Sequence, residues 1–314
     1  MNNGMKPIKY DVNGILLLNK PLEMTSNAAL QQVKRLYSAK KAGHTGSLDP
    51  LATGMLPLCF GEATKFSQYL LEANKYYRVT GLLGVRTSTA DAEGEVIATH
   101  PVNVSSEQLL AAIAKFTGAL DQVPPMYSAI KVQGQPLYKL ARQGIEIERA
   151  ARRITIVSSE LVNFSGAEFT LDVHCSKGTY IRTLIEDIGL TLGCGAHVIA
   201  LHRSAVTPFQ GFPVYTLDEL RAIHEQAGRA GLHPLLLAAD TAIQSMPAVT
   251  LSAASVFYLR TGQAVMVSDR QIQGMVRIFS ASGEFLGIGE MLEDGRVAPK
   301  RLLSQAQKGL QQAV

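Results

Sequence analysis

Ala167-Glu168-Phe169-Thr170-Leu171-Asp172-Val173-His174 alternates apolar and polar side chains residue by residue. That is the period of a β-strand that buries one face and leaves the other wet. Immediately upstream, Arg153 to Phe164 reads as a second strand, and Ser165-Gly166 supplies the turn between them. An antiparallel hairpin at this place argues against a doubly wound parallel sheet.

Working outward supports the same class. Towards the C-terminus, Gly178 interrupts, and Thr179 or Tyr180 starts a helix towards Leu192. Ala196 to Leu201 is a further strand, and Thr216 with Glu219 has capping-box spacing ahead of a helix to about Gln226. Towards the N-terminus, Tyr76 to Leu83 is a strand, and Ser105 with Gln108 caps a helix to Phe116 whose stripe is Leu109, Ile113 and Phe116. Ala63 to Leu71 reads as a helix, Thr25 or Ser26 as the cap of another reaching Tyr37, and Val12 to Leu18 as a strand. Neighbours of hairpin type outnumber βαβ crossovers. The expected class is α+β, with a mixed, mainly antiparallel central sheet and flanking helices.

A boundary is expected between 244 and 250, dividing the chain into 1–245 and 246–314. Beyond it, Ala264 to Val267, Gly274 to Phe279 and Phe285 to Gly289 are short strands with turn residues between them, the pattern of a small β-barrel-like module. At 314 residues, 46% hydrophobic and 18% charged, the chain can bury a substantial core. No run approaches the length of a membrane span and no signal-peptide layout opens the sequence, so a cytoplasmic protein without membrane contact is expected. Cys59, Cys175 and Cys194 form neither a CxxC nor a cluster with histidine.

The net charge is +4, and residues 131 to 153 carry that whole excess through Lys131, Lys139, Arg142, Arg149, Arg152 and Arg153 against Glu146 and Glu148. Clustered positive charge suits a polyanionic partner, although an ordinary solvated face has the same composition. Val123-Pro124-Pro125-Met126-Tyr127-Ser128 leads into this segment on an extended path, and Leu137 to Arg142 can form a short helix ended by Gly144.

No GxGxxG, phosphate loop, HExxH or metal-spaced cluster occurs, so any chemistry is expected to rest on side chains alone, without cofactor or metal. Gly43-His44-Thr45-Gly46-Ser47-Leu48-Asp49-Pro50-Leu51-Ala52-Thr53-Gly54 holds one carboxylate among three glycines and a proline. It reads as a rigid loop, neither helix nor central strand. On the residues alone, Asp49 is a nucleophile, a base or a turn-stabilising acceptor. Arg182 falls in the first turn of the helix after Gly178. If that turn packs beside the loop, its guanidinium can hold the Asp49 carboxylate in a bidentate pair; otherwise it is a surface arginine. Tyr76 and Tyr77 point to opposite faces of their strand, so one ring can be core while the other stacks on a base.

These residues carry a resemblance. Gly43 to Pro50 with Ala52-Thr53-Gly54, Gly61-Glu62-Ala63-Thr64-Lys65, Pro124-Pro125-Met126-Tyr127-Ser128-Ala129 and His174 to Arg182 stand in the order found in the bacterial tRNA pseudouridine-55 synthase family. The chain resembles that family from Asn13-Gly14 into the C-terminal module. The resemblance implies isomerisation of a uridine in the T loop of tRNA, with N1–C1′ cleavage and reattachment through C5. It implies that Asp49 is the essential aspartate, Arg182 its partner and Tyr77 the ring stacked on the target base.

Lys20 then matches a lysine at the active-site floor, His44 a contact to the T loop, and Leu201 an apolar pocket residue; Tyr180 lies in the matching motif as a substrate contact. Residues 124–153, with Arg142 and Arg153, resemble an insertion that closes over RNA. The module after 246 resembles an RNA-binding domain shared with archaeosine enzymes and is expected to grip the acceptor end; Arg277, Arg296, Lys300 and Arg301 are available there, and surface solubility explains them equally well. A monomer acting on tRNA rather than DNA is implied. Leu201-His202-Arg203 departs from relatives with an arginine pair after the leucine. A noncatalytic RNA-binding protein and a synthase for another uridine are the competing readings.

Overall fold

The computed structural model describes residues 8–132, 134–269 and 271–304. Strand β1 (Gly14–Lys20) leads to helix α1 (Ser26–Leu36), β2 (Ala42–His44) and β3 (Ala52–Phe60). Thr25 caps α1 by accepting from the Ala28 amide, and Ala29, Leu30 and Val33 form the buried face. Strand β3 corrects the loop reading of its first residues. Ala52-Thr53-Gly54 already belongs to a central strand, flanked by β1 on one side and, at this end, by a later parallel strand on the other. All but one of its residues are buried, so it lacks the alternation that marks a half-exposed strand, and Pro57 and Gly54 argue against a strand by composition.

Gly54 shows why composition misled. Its φ is +103°, and a Cβ there would lie 2.3 Å from the Arg203 carbonyl oxygen. Only glycine lets the two strands approach so closely.

The expected helix from Ala63 to Leu71 is instead a 3₁₀ turn, Gly61–Phe66, followed by α2 (Ser67–Glu72). Then come β4 (Lys75–Leu83), a hairpin of β5 (Val85–Thr87) and β6 (Val96–Thr99), α3 (Ser106–Ala114) and β7 (Gly118–Gln122). Ser105 and Gln108 close the expected capping box of α3. The basic segment holds only β8 (Lys131–Val132), β9 (Gln135–Pro136) and α4 (Leu137–Ala141). The long hairpin of β10 (Arg152–Ser165) and β11 (Glu168–Cys175) follows, with Phe169, Leu171 and Val173 buried as their alternation requires. Helix α5 (Ile181–Thr191), β12 (Ala196–Val206) and α6 (Leu217–Leu232) complete this part.

The large sheet runs β1-β3-β12-β4-β11-β10-β7, with β2 pairing β3. Its only parallel neighbours are β3 and β12; every other ladder is antiparallel. One face packs on α1, α3, α5 and α6 through Leu16, Leu18, Val79, Leu171, Ile185 and Leu220. On the other face, Ile15, Leu17, Met55 and Cys59 meet Phe66, Leu70 and Phe209.

Beyond Ala248 lie β13 (Ala248–Leu251), α7 (Ala253–Arg260), β14 (Val265–Met266), β15 (Met275–Ser280), β16 (Phe285–Met291) and β17 (Arg296–Leu302), in sheet order β13-β15-β16-β17-β14. Helix α7 touches β13 and β14, the two ends of that order, so the small sheet is curled around its own core of Val249, Leu259, Val276, Ile278 and Val297. It docks on the larger part through Phe66 against Phe285, with ring centroids 5.5 Å apart. Lys65 Nζ donates to the Leu302 carbonyl at 2.9 Å, and Glu62 Oε2 accepts from the Ser304 amide at 2.6 Å. The Gly61 to Lys65 motif therefore joins the two sheets.

Candidate active site

Strand β12 is the element that assembles the site. It pairs in parallel with the start of β3, Leu201 opposite Ala52, and antiparallel with β4, Arg203 opposite Tyr77. The Asp49 loop feeds directly into β3, so β12 lies between the carboxylate and the tyrosine. The N-terminus of α5 brings in Arg182.

Arg182 is buried, and every nitrogen of its guanidinium has a separate task. Nε meets Asp49 Oδ2 at 3.0 Å. One terminal nitrogen meets Asp91 Oδ2 at 3.2 Å and donates to the Thr89 carbonyl at 3.0 Å; the other donates to the Tyr127 carbonyl at 2.7 Å. This corrects the expected bidentate pair. The fork is divided between two carboxylates and two backbone oxygens, because Asp91 competes for it. Asp91 is itself fixed, its Oδ1 accepting from Thr89 Oγ1 at 2.5 Å and from the Glu93 amide at 3.1 Å. Sequence reasoning missed Asp91, which sits in what reads as an ordinary polar turn between β5 and β6. Its one signal was a second acid between two strands, too common to single out.

Asp49 remains 43% exposed while its guanidinium partner is closed off. The carboxylate is thus open to a ligand on one side and paired on the other. Burial at the cleft floor raises its carboxyl above the ordinary aspartate value; Arg182 pulls it back, Asp91 pushes it up again, and Lys20 pulls it down.

Lys20 is fully buried and donates to the carbonyls of Pro21 at 2.7 Å, Met24 at 2.6 Å and Pro50 at 3.4 Å. Its desolvation lowers the ammonium to about 8. At the loop's other end Arg203, 1% exposed, donates to the Gly46 carbonyl at 3.0 Å and to Met55 at 2.7 Å. Arg203 sits at a buried position of the alternation of β12, so nothing in the residue pattern singles it out.

Tyr77 is half-buried, and burial raises its hydroxyl, with the Arg203 guanidinium opposing that shift. Tyr76, on the opposite face, stacks on His174 at 4.1 Å and 10°. Tyr77 lies near Arg203 and within electrostatic reach of Asp49. Tyr180 precedes α5, its backbone gripped by Gln122, which accepts from the Tyr180 amide at 2.8 Å and donates to its carbonyl at 3.1 Å. His44 ends β2, and burial, with nearby Arg203, lowers its imidazole below the ordinary histidine value. Leu201 is buried between β3 and β4.

Arg142 and Arg153 are not part of this group. Arg142 is exposed in the insertion, 5.7 Å above the Tyr138 ring. Arg153 lies within β10 rather than the insertion and pairs with Asp121 at 3.1 Å. In the C-terminal module Arg277 donates to the Met246 carbonyl and contacts Asp240, Arg296 pairs with Asp294, and Lys300 with Glu290; Arg301 donates to the Lys65 carbonyl. Three of its four candidate phosphate contacts are therefore already engaged by acids. His202 Nδ1 lies 2.9 Å from Thr53 Oγ1, tying β12 to β3. Among the described residues no group of three or more His, Cys, Asp or Glu is placed to hold a metal ion, and no helix is long and apolar enough to cross a membrane.

The comparisons agree with this geometry. The model of the TruB family pseudouridylate synthase N-terminal domain matches residues 34–181. The tRNA pseudouridylate synthase B C-terminal domain matches 182–244, and the pseudouridine synthase II TruB C-terminal region matches 247–303. The tRNA pseudouridine synthase B of Tolumonas auensis is 55% identical over 93% of this chain and 93% of its own length. That of Coxiella burnetii is 51% identical over 96% and 98%. Among solved structures, a chain of a Cbf5-Nop10-Gar1 complex superposes with a TM-score of 0.71 at 24% identity, over 92% of this chain and 84% of that one, a likeness of fold. With half its residues identical across nearly the whole length, and with Asp49 set against Arg182 where β12 joins β3 to β4, the chain belongs to the TruB family of tRNA pseudouridine synthases.

Proposed function

We propose that this enzyme converts uridine-55 in the T loop of tRNA to pseudouridine, with Asp49 as the group that starts glycosidic cleavage. The observation that carries the reading is a carboxylate open to the cleft on one side and held by a buried guanidinium at 3.0 Å on the other.

A base in a folded loop is out of reach until it leaves its stack. Tyr77 replaces part of the lost stacking, and Leu201 supplies an apolar wall. The ionised Asp49 oxygen then attacks C1′, takes the C2′ proton, or adds to C6. All three routes need the same oxygen, unprotonated and fixed. The N1–C1′ bond breaks, the uracil turns, C5 bonds to C1′, Asp49 leaves C1′ or C6 or returns the C2′ proton according to the route, the C5 proton leaves and N1 gains one. Arg182 orients the carboxylate and favours its charge. The isomerisation is redox-neutral.

His44 and Tyr180 contact the RNA around the flipped nucleotide. Lys131, Lys139 and Arg142 hold phosphates, giving affinity without base readout. The module after Ala248 reaches towards the acceptor end, and the protein acts as a monomer in the cytoplasm. The test is an unmodified tRNA transcript incubated with the protein and mapped for pseudouridine position by position. Modification at 55 alone is expected; modification at another uridine, or none, would overturn the assignment.

A further inference from the structure

The residue immediately before the catalytic carboxylate is tied at both its backbone groups to a single hydroxyl. Ser26 Oγ accepts from the Leu48 amide at 2.7 Å and donates to the Leu48 carbonyl at 3.0 Å. Ser26 is 3% exposed and is the first residue of α1. The usual occupation of a serine at a helix start, capping, is not its task, because Thr25 holds that role through the Ala28 amide at 3.1 Å. The Ser26 side chain is thereby left for the loop. The Leu48 side chain is buried in the core beneath. Leu48 is thus immobilised through side chain, amide and carbonyl together, and Asp49 is the next residue along.

Resting on the catalytic reading above, we propose that Ser26 is a positioning residue for the Asp49 carboxylate, fixing its backbone so that one oxygen meets Arg182 while the carboxylate faces the substrate. Of the two buried cations, Lys20 reaches the Pro50 carbonyl on the far side of Asp49 at 3.4 Å, and Arg203 acts further out, on Gly46. Ser26 alone bonds both backbone groups of the neighbouring residue. Removing its hydroxyl leaves the buried Leu48 amide without its partner, and the loop relaxes to recover one. A shift of about 1 Å at the reacting group costs up to ~100-fold in rate. It also lengthens the contact to Arg182, so the Asp49 carboxyl rises further.

The experiment compares Ser26→Ala with Thr25→Ala in the full chain. The second variant removes a hydrogen bond from the same helix end without touching the loop. Single-turnover rate, tRNA affinity, pH dependence of the rate and thermal midpoint are measured for both. Ser26→Ala is expected to slow isomerisation ~10- to 100-fold at unchanged tRNA affinity and to move the acid limb to higher pH. Thr25→Ala is expected to lower the thermal midpoint while leaving rate and acid limb in place. Should Ser26→Ala fail to fold, Ser26→Cys, with its weaker donor and acceptor, must give a smaller loss of the same kind at unchanged affinity; a wild-type rate and acid limb would overturn the proposal.

Asp49→Asn run alongside separates the two levels of the argument. If it is inactive and Ser26→Ala matches Thr25→Ala in every readout, the positioning role fails and the catalytic reading stands. If Asp49→Asn is itself active, the catalytic reading fails and the positioning role falls with it.

Discussion

The Asp49 loop and the basic insertion between Pro124 and Ala151 are both irregular, glycine- and proline-bearing segments beside the same cleft, yet they are built in opposite ways. In the loop, Gly46, Leu48 and Pro50 each give a backbone group to a buried side chain, from Arg203, Ser26 and Lys20 respectively. In the insertion, the short ladder of β8 and β9 and the buried residues Pro124, Ser128 and Leu137 support a stretch whose residues from Gln143 to Ile145 are all exposed. A loop that must place one oxygen is fixed by buried donors. Lys131, Lys139 and Arg142 of the insertion stand in water. Arg182 connects the two, since the guanidinium that holds Asp49 also takes the Tyr127 carbonyl at the root of the insertion.

The largest effect expected from disturbing that contrast comes at Arg182. Arg182→Met leaves Asp91 buried without its cation, which costs about 3–5 kcal/mol of stability. Urea unfolding reads that loss, and single-turnover assays at low temperature should show a rate loss of at least ~100-fold. Next comes Asp91→Asn. Asp91 repels the Asp49 carboxylate, so its neutralisation lowers the Asp49 carboxyl. The wild-type rate should fall as pH drops through the raised Asp49 value, above the ~3.9 of an unperturbed aspartate. In Asp91→Asn that limb should move to lower pH, whereas Arg182→Met should move it the other way. A pH–rate profile that stays fixed in both variants would break the account of a divided guanidinium.

The smallest effects belong to the insertion. Arg142→Ala should weaken tRNA binding without changing the single-turnover rate at saturating enzyme, and should reduce the slope of log affinity against log salt by about 1. Arg153→Ala should change that slope less, because Asp121 already occupies its guanidinium. Salt titrations of both variants sharpen the distinction between a free and a paired cation.

The legibility of the sequence follows the same contrast. The hairpin of β10 and β11 was readable because one face is wet, so alternation survives in Phe169, Leu171 and Val173. Capping boxes at Ser105 and Thr216 were readable because they are local chemistry. Strand β3 was not, since burial on both faces erases the alternation and its glycine serves a contact with Arg203 distant in sequence. At the site, Asp49 stood out through its loop. Asp91, Arg203 and the hydroxyl of Ser26 did not, because each acquires its task only when α1, the turn after β5 and β12 converge. In the C-terminal module, Asp294 and Glu290 engage Arg296 and Lys300.

The central claim is that one fixed, ionised oxygen at residue 49 breaks the glycosidic bond. Single-turnover isomerisation of unmodified tRNA by Asp49→Asn protein, with filter binding on the same samples, tests it most directly. We expect pseudouridine formation to fall by at least ~1,000-fold with tRNA binding retained. Turnover at the wild-type rate in that variant would contradict the account.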